Sequence, residues 1–359
     1  MFVYYLHYII VSLVSSLSIF KSKNTKYIAV VVFVLLVALA GFRGQVGRDY
    51  TLYIKYFNAL TSDNFDYFGN KFLFYEPSNY ALPYLLKLIF GREYFIQLCF
   101  LLFAFLGVYY KMKAMEMSNS FFLSILIYLT NFYLLHEMVQ IRAGIASGIF
   151  LLSIKHIYNR NFGKFLLYIL WACFFHYSSA LYLFLYFLSP TSFNKIWWIV
   201  VLSSFSILSL LGINIFDLTV LSFIPKIQAY IELMKAGGDF VLINVWTSFA
   251  FLINFLLTFF LLLKSSHLID KNKYFIILLK INILSIIAYM SFASMPVFAA
   301  RVSQLLGVVQ IILFPIIVYA FKEKIIPYTI IVFISLSFFY YYFIQLDFFK
   351  PYYTWIQQF

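Results

Sequence analysis

The chain has 359 residues, 64% of them hydrophobic and 23% aromatic, and only 11% are charged. Soluble domains carry about 25% charged residues, so this composition excludes a soluble globular protein. The net charge of +13 does not point to nucleic acid, because the lysines fall mainly in short stretches between apolar runs, where membrane topology places them.

Apolar runs long enough to cross a bilayer recur along the chain, and they do not alternate polar with apolar residues as barrel strands do. They predict an all-α polytopic membrane protein. The first run, 2–20, lacks a basic leader and an A-x-A-like cleavage site, so it is expected to stay as a span. The second, 27–42, runs into GFRGQVGRDY at 41–50. A loop over 43–92 follows, holding LFYEPSNYALPYLLKLIFG at 73–91. That aromatic and apolar stretch suits a helix lying along the membrane surface, or a loop packed on the bundle. Further spans are expected at 93–110, 119–135 and 140–158.

Short basic stretches mark the cytoplasmic side: KSKNTK at 21–26, KMK at 111–113, Lys155 to Lys164, KSSHLIDKNK at 264–273 and KEK at 322–324. Lys164 and Lys264 then need an even number of crossings between them, yet the runs 165–188, 196–213 and 241–263 give an odd number. A hairpin of two short helices, 162–176 and 178–193, turning at FFHYSSA, restores the parity. Each arm of roughly 22 Å is short against a ~30 Å hydrocarbon core, so the turn is expected in a polar cavity below the outer surface. Spans at 273–293, 300–320 and 325–345 complete a set of about twelve transmembrane helices with both termini outside. Residues 1–359 are expected to form a single integral membrane domain, with 214–240 as a second outer loop. Cys99 and Cys173 lie within apolar runs and are expected as small buried hydrophobes.

The ionisable residues other than lysine gather on the outer side of this map. Arg43, Arg48 and Asp49 follow the second span, His136 and Glu137 end the fourth, and Arg142 begins the fifth. His176 sits at the hairpin turn, and Arg301 opens the run after SMPVFAA. Charges at a membrane edge are costly unless paired or wetted, which makes them functional candidates. Arginines on the outer side also run against the positive-inside tendency. A guanidinium grips phosphate oxygens in a forked, bidentate way, so the four arginines suggest a phosphate-bearing ligand. Gly41, Gly44 and Gly47 allow tight turns and close approach of backbone N–H groups to an anion. Structural readings stand beside these: Arg43 and Asp49 as an ion-paired turn, single arginines as interfacial anchors, His136 and His176 as polar helix ends. Asp49 and Glu137 are ion-pair partners or general bases. Asn131, Gln140, Gln304, Ser178 and Ser179 are supporting donors.

Three blocks, in order, carry a family resemblance. FRGQVGRDYTLY at 42–53, which holds Gly47 and Tyr50, resembles the signature of the EpsG-like, Wzy-type bacterial polysaccharide polymerases. IRAGIASGIFLLSIKHIYNRNFGKFLLYILWACFFHYSSAL at 141–181 resembles that family's arginine-bearing, small-residue-rich helix, basic loop and His-x-Ser block. The helix opened by Arg301 is similar to its late arginine-bearing helix. The resemblance implies a GT-C-like membrane glycosyltransferase of the bacterial inner membrane with its active site facing the periplasm. Its donor and acceptor would be oligosaccharide repeat units on undecaprenyl diphosphate, polymerised with no cofactor and no metal. Arg142 and Arg301, supported by Arg43 and Arg48, would bind the diphosphate of the donor. His176 would be the base or orient the acceptor, with Asp49 and Glu137 as rivals and Gly47, Tyr50 and Ser178 in support. Membrane lipid and a chain-length regulator are the other expected partners, and nucleic acid is not. An O-antigen ligase shares the donor, and a lipid-linked oligosaccharide flippase shares substrate and location. A flippase would place its charges near the midplane in two related halves, and no inverted repeat is visible here.

Overall fold

The computed structural model describes residues 1–20, 25–62, 75–213, 244–323, 325–341 and 350–355, together with positions 228 and 232. In chain order the main helices are α1 (Phe2–Phe20), α2 (Thr25–Gly41), α3 (Tyr50–Leu60), α4 (Ser78–Ala114), α5 (Phe121–Ile127), α6 (Ile141–Tyr158) and α7 (Phe162–Phe175). They continue as α8 (Lys195–Leu210), α9 (Phe249–Leu263), α10 (Phe275–Ser291), α11 (Pro296–Gly307) and α12 (Ile325–Tyr340). The described residues contain no strand, only one isolated antiparallel bridge between Arg43 and Thr354. Valine-rich α2 is helical despite its β-branched residues. In a bilayer every backbone N–H and C=O needs an internal partner, and that demand overrides weak propensity.

Two of these segments, Phe2–Ile19 and Ser78–Met117, are by themselves long and apolar enough to cross a membrane. Two bent pairs, Phe249–Leu263 with Ser265–Lys271 and Pro296–Gly307 with Gln310–Tyr319, reach that length jointly, at bends of 72° and 41°. The other apolar helices have 10–17 residues. The expected outer loop 214–240 lies outside the described residues apart from positions 228 and 232, as does 63–74 of the loop 43–92.

The chain divides into two compact units, Met1–Phe187 with Glu323–Phe359, and Leu188–Lys322. In the first unit α4 packs on α2, α3 and α6, and α6 packs on α7. Tyr50, Tyr53, Phe57, Phe100, Phe103 and Phe175 are buried together at this junction. Residues 78–91 form the first half of α4, which bends at Gly91 (φ 77°, ψ −173°), a backbone region that in practice only glycine occupies. Beyond the bend α4 runs through Lys111 to Ala114. This corrects the sequence expectation for KMK: Lys111 is a fully buried helix residue, not part of a basic loop.

The hairpin expected around FFHYSSA is present. His176 is extended (φ −152°, ψ 112°) and ends α7, and a 3₁₀ helix over Tyr177–Phe187 follows. The return leg lies against the start of α7: Arg160 Nη1 donates to the Tyr186 carbonyl at 2.5 Å, and the Phe162 and Tyr186 rings are 5.0 Å apart.

In the second unit Asn282 of α10 joins three segments. Its Nδ2 donates to Thr258 Oγ1 at 2.6 Å and to Asn254 Oδ1 at 3.1 Å, and its Oδ1 accepts from Gln310 Nε2 at 3.2 Å. Lys280 Nζ donates to the carbonyls of Ser189 and Ser192, each at 2.6 Å. Hydrogen bonds between helices take the place of the hydrophobic drive that a lipid environment lacks.

Candidate active site

Two side chains from separate parts of the first unit converge on a carboxylate supplied by a third. Glu76 lies just ahead of α4, Arg142 sits in the first turn of α6, and His176 ends α7. Arg142 Nη1 donates to Glu76 Oε2 in an ion pair, and His176 Nδ1 lies 3.3 Å from Glu76 Oε1. The His176 contact is within ion-pair reach but falls short of hydrogen-bond alignment. Asn79 Nδ2 donates to Glu76 Oε2 at 3.4 Å. Glu76 is 3% exposed, while the side chains of Arg142 and His176 are 21% and 19% exposed. The carboxylate is therefore the closed floor of the group, and the cation and the imidazole are its open edge.

The surroundings fix these positions. The face of Tyr53 lies 5.5 Å from the Arg142 guanidinium carbon. Tyr177 Oη donates to the Tyr75 carbonyl at 3.1 Å, tying the residue after His176 to the residue before Glu76. A carboxylate beside one imidazole nitrogen orients the ring, which is one element of the arrangement in which a histidine serves as a base.

A second guanidinium lies behind the same aromatic wall. Arg43 is fully buried, with its guanidinium carbon 4.8 Å over the Phe100 ring. Phe100 stacks on Tyr50 at 4.4 Å and meets Tyr53 edge-on at 6.4 Å, so Arg43 and Arg142 are joined through touching rings. Arg43 Nη1 donates to the Ala40 carbonyl, while its Nε and Nη2 have no acceptor among the described residues. An ion-paired turn between Arg43 and Asp49 is thus not what holds this loop. Asp49 stands at the N-terminal edge of α3 without capping it through its side chain, and Arg48 is exposed. Gly47 packs so closely on α5's continuation that a Cβ there would come within 2.6 Å of the Met138 carbonyl oxygen.

Glu137 and His136 belong to a different cluster. After α5 the chain continues as π-helix over Tyr128–Tyr133 and Leu135–Val139; such widened turns recur at functional places. Here they bring Tyr128 Oη to Glu137 Oε1 at 2.8 Å. Lys111 Nζ donates to the same oxygen at 2.7 Å and to the Gly144 carbonyl at 2.6 Å. His136 is buried against Phe132 and Ser147. Ser178 is half-buried in the 3₁₀ helix, and Arg301 belongs to the second unit, exposed on α11.

Sequence reasoning thus named Arg142 and His176 but missed the residue that joins them. Glu76 is the single acidic residue in the stretch 73–91, and a lone carboxylate in so aromatic a segment was the available signal. Tyr53 and Lys111 were also missed.

These features define an all-helical membrane protein with a cation and a histidine clamped at one end of its first unit. The sequence model of one family, described as the EpsG family, matches residues 26–354, and the chain belongs to the EpsG family. No curated protein matches the chain, and no solved structure does. Family membership suggests a polymerase-like membrane protein of polysaccharide biosynthesis.

Proposed function

We propose that this protein polymerises oligosaccharide repeat units carried on undecaprenyl diphosphate, transferring the growing glycan from one carrier to the sugar of the next lipid-linked unit. The observation that carries the reading is the buried Glu76 held between Arg142 and His176. The acceptor hydroxyl gives its proton to His176 while its oxygen bonds to the donor's anomeric carbon. The bond from that carbon to the diphosphate breaks, and its electron pair leaves with the lipid diphosphate. Arg142 faces the charge that develops there and stabilises it more in the transition state than in the ground state. One direct displacement inverts the anomeric configuration. Arg43 and Arg48 are the supporting cations on this unit, and Arg301 is a candidate on the other. His176 is preferred over Asp49 and Glu137 as the base because it shares a partner with Arg142, whereas Glu137 is engaged by Lys111.

A periplasmic site in the bacterial inner membrane is supported by the basic residues at the far ends of α6 and α7, where Lys155 lies over Tyr168 and Arg160 over Tyr186. About twelve crossings in a GT-C-like architecture are part of this proposal; they rest on the family resemblance and on apolar helices lying at most of the expected segments.

The test is deletion of the gene, with surface saccharides and lipid carriers analysed side by side. Loss of long ladders while single repeat units still reach their destination, reproduced by Arg142→Ala and His176→Ala, supports the polymerase. Long lipid-linked chains left undelivered would make the protein a ligase. Units held on the cytoplasmic face would make it a flippase and remove the catalytic role of His176.

A further inference from the structure

The Arg43 guanidinium is fully buried, and two of its three nitrogens have no acceptor among the described residues. A cation so placed is at a cost unless an anion joins it during function. What lies along the backbone of this loop is a short segment from far along the chain, residues 350–355. Gly44 N donates to the Tyr353 carbonyl at 2.8 Å, Trp355 N to the Phe42 carbonyl at 3.2 Å, and Lys350 N to the Val46 carbonyl at 3.3 Å. Gln45 N donates to Tyr353 Oη at 3.0 Å, and Tyr352 Oη to the Leu39 carbonyl at 2.9 Å. The Phe42 and Trp355 rings, the next cross-strand pair beside the Arg43–Thr354 bridge, stack at 6.1 Å.

This attachment is close-fitting but shallow. A Cβ on Gly44 would come within 2.3 Å of the Tyr353 ring, so the ring lies directly on the backbone. None of the six residues 350–355 is fully buried. A short two-stranded pairing of this kind has little stability of its own and opens more readily than the helices beneath it.

We infer that residues 350–355 form a removable strap over an anion site whose cation is Arg43, and that the site takes the phosphate groups of a diphosphate. With the strap displaced, Arg43 Nε and Nη2 present the side of the guanidinium fork that grips two phosphate oxygens at once. With the strap in place, the same nitrogens are shut off from water and ligand. This rests on the lipid-diphosphate reading above and adds to it a gated entry, placed on residues other than Glu76, Arg142 and His176.

The experiment uses the full chain purified in detergent, with Phe42→Cys and Trp355→Cys introduced together, because these positions face each other across the bridge. Phenylglyoxal labelling of arginine is read by mass spectrometry, with exposed Arg160, which has no place in the proposed site, as the internal reference and inorganic pyrophosphate as the probe. Under reducing conditions Arg43 should be labelled and pyrophosphate should protect it. After oxidation its labelling should fall by at least about tenfold, as expected when a local opening is blocked, and reduction should restore it. Equal labelling of Arg43 with the strap locked and unlocked would overturn the gate. Labelling that pyrophosphate does not reduce at Arg43 would overturn the anion site, whatever the ladder experiment says of His176. Gly44→Ala serves as a second route, since its new methyl displaces Tyr353 without a crosslink. It should raise Arg43 labelling above wild type, and wild-type labelling there would count against the strap.

Discussion

Glu76→Gln is the most informative change, because it removes one charge and keeps the volume. The carboxylate is 3% exposed and bears Arg142 on one oxygen and His176 beside the other. Arg142 loses a charge-assisted hydrogen bond worth about 1.5–3 kcal/mol. Because its side chain is 21% exposed, water recovers part of that, so the expected loss of stability is about 1–2 kcal/mol, below the ~3–5 kcal/mol of a fully buried broken pair. Activity should suffer more. His176 loses its orienting carboxylate and Arg142 its fixed direction, and groups of these kinds each contribute about a hundredfold or more to rate. Elongation of lipid-linked repeat units by the purified protein should therefore fall about a hundredfold to a thousandfold, with Glu76→Asp recovering part of it. Thermal unfolding of the same preparations separates the two effects. Full elongation by Glu76→Gln, beside an inactive His176→Ala, would show that the carboxylate orients nothing. A fall in activity that merely follows the fraction of folded protein would refute the site just as well.

Further outcomes are expected at four other positions and in one double variant. Gly107→Ala puts a Cβ 1.9 Å from Glu137 Oε2, an overpacking that should cost about 1–3 kcal/mol and lower the unfolding temperature; an unchanged transition would contradict the packing of Glu137 on α4. Lys111→Met leaves the Glu137 carboxylate buried without its cation and should cost about 3–5 kcal/mol. Lys111→Met with Glu137→Leu should cost less than the sum of the two singles, and strict additivity in that cycle would deny the pair. Arg43→Ala should raise KM for the lipid-linked donor by about tenfold to a hundredfold, from the loss of a phosphate contact of about 1.5–3 kcal/mol, and leave kcat nearly intact. His176→Ala should do the reverse, and a shared kcat effect would merge the two sites.

What could be read from the sequence was whatever depended on hydropathy and on the scarcity of charge. The parity of basic stretches demanded a hairpin at FFHYSSA, and α7 turns at His176 as that demand required. Arg142 and His176 stood out because neither belongs in an apolar helix without a reason. Glu76 did not, because its neighbours read as an interfacial helix and its role depends on a fold that brings 76, 142 and 176 together. Lys111 was misplaced for a related reason. Loop lysines and buried lysines look alike in sequence, and only Glu137, 26 positions away, tells them apart. The strap was invisible too, since it is made mainly of backbone hydrogen bonds between positions some 308 residues apart, and backbone groups leave no pattern in side-chain identity.

In the proposed transfer from a lipid diphosphate, the two guanidiniums would divide the electrostatics in a way that neither does alone. Arg142 is largely neutralised at rest by Glu76, so it adds little long-range attraction for an incoming anion. Its strength is direction: the guanidinium is already fixed when charge appears on the leaving group, and no reorganisation is then needed. Among the described residues Arg43 has no carboxylate partner, and in a low-dielectric setting an uncompensated cation attracts a phosphate strongly. Left open, that same cation would be hydrated and much of the attraction would be lost to water. A cover that opens for the ligand and closes over it keeps the site dry without keeping it empty. On this view the GFRGQVGRDY loop and the segment 350–355 govern capture, while Glu76, Arg142 and His176 govern transfer. The contact between Phe100 and Tyr53 is the physical link between them.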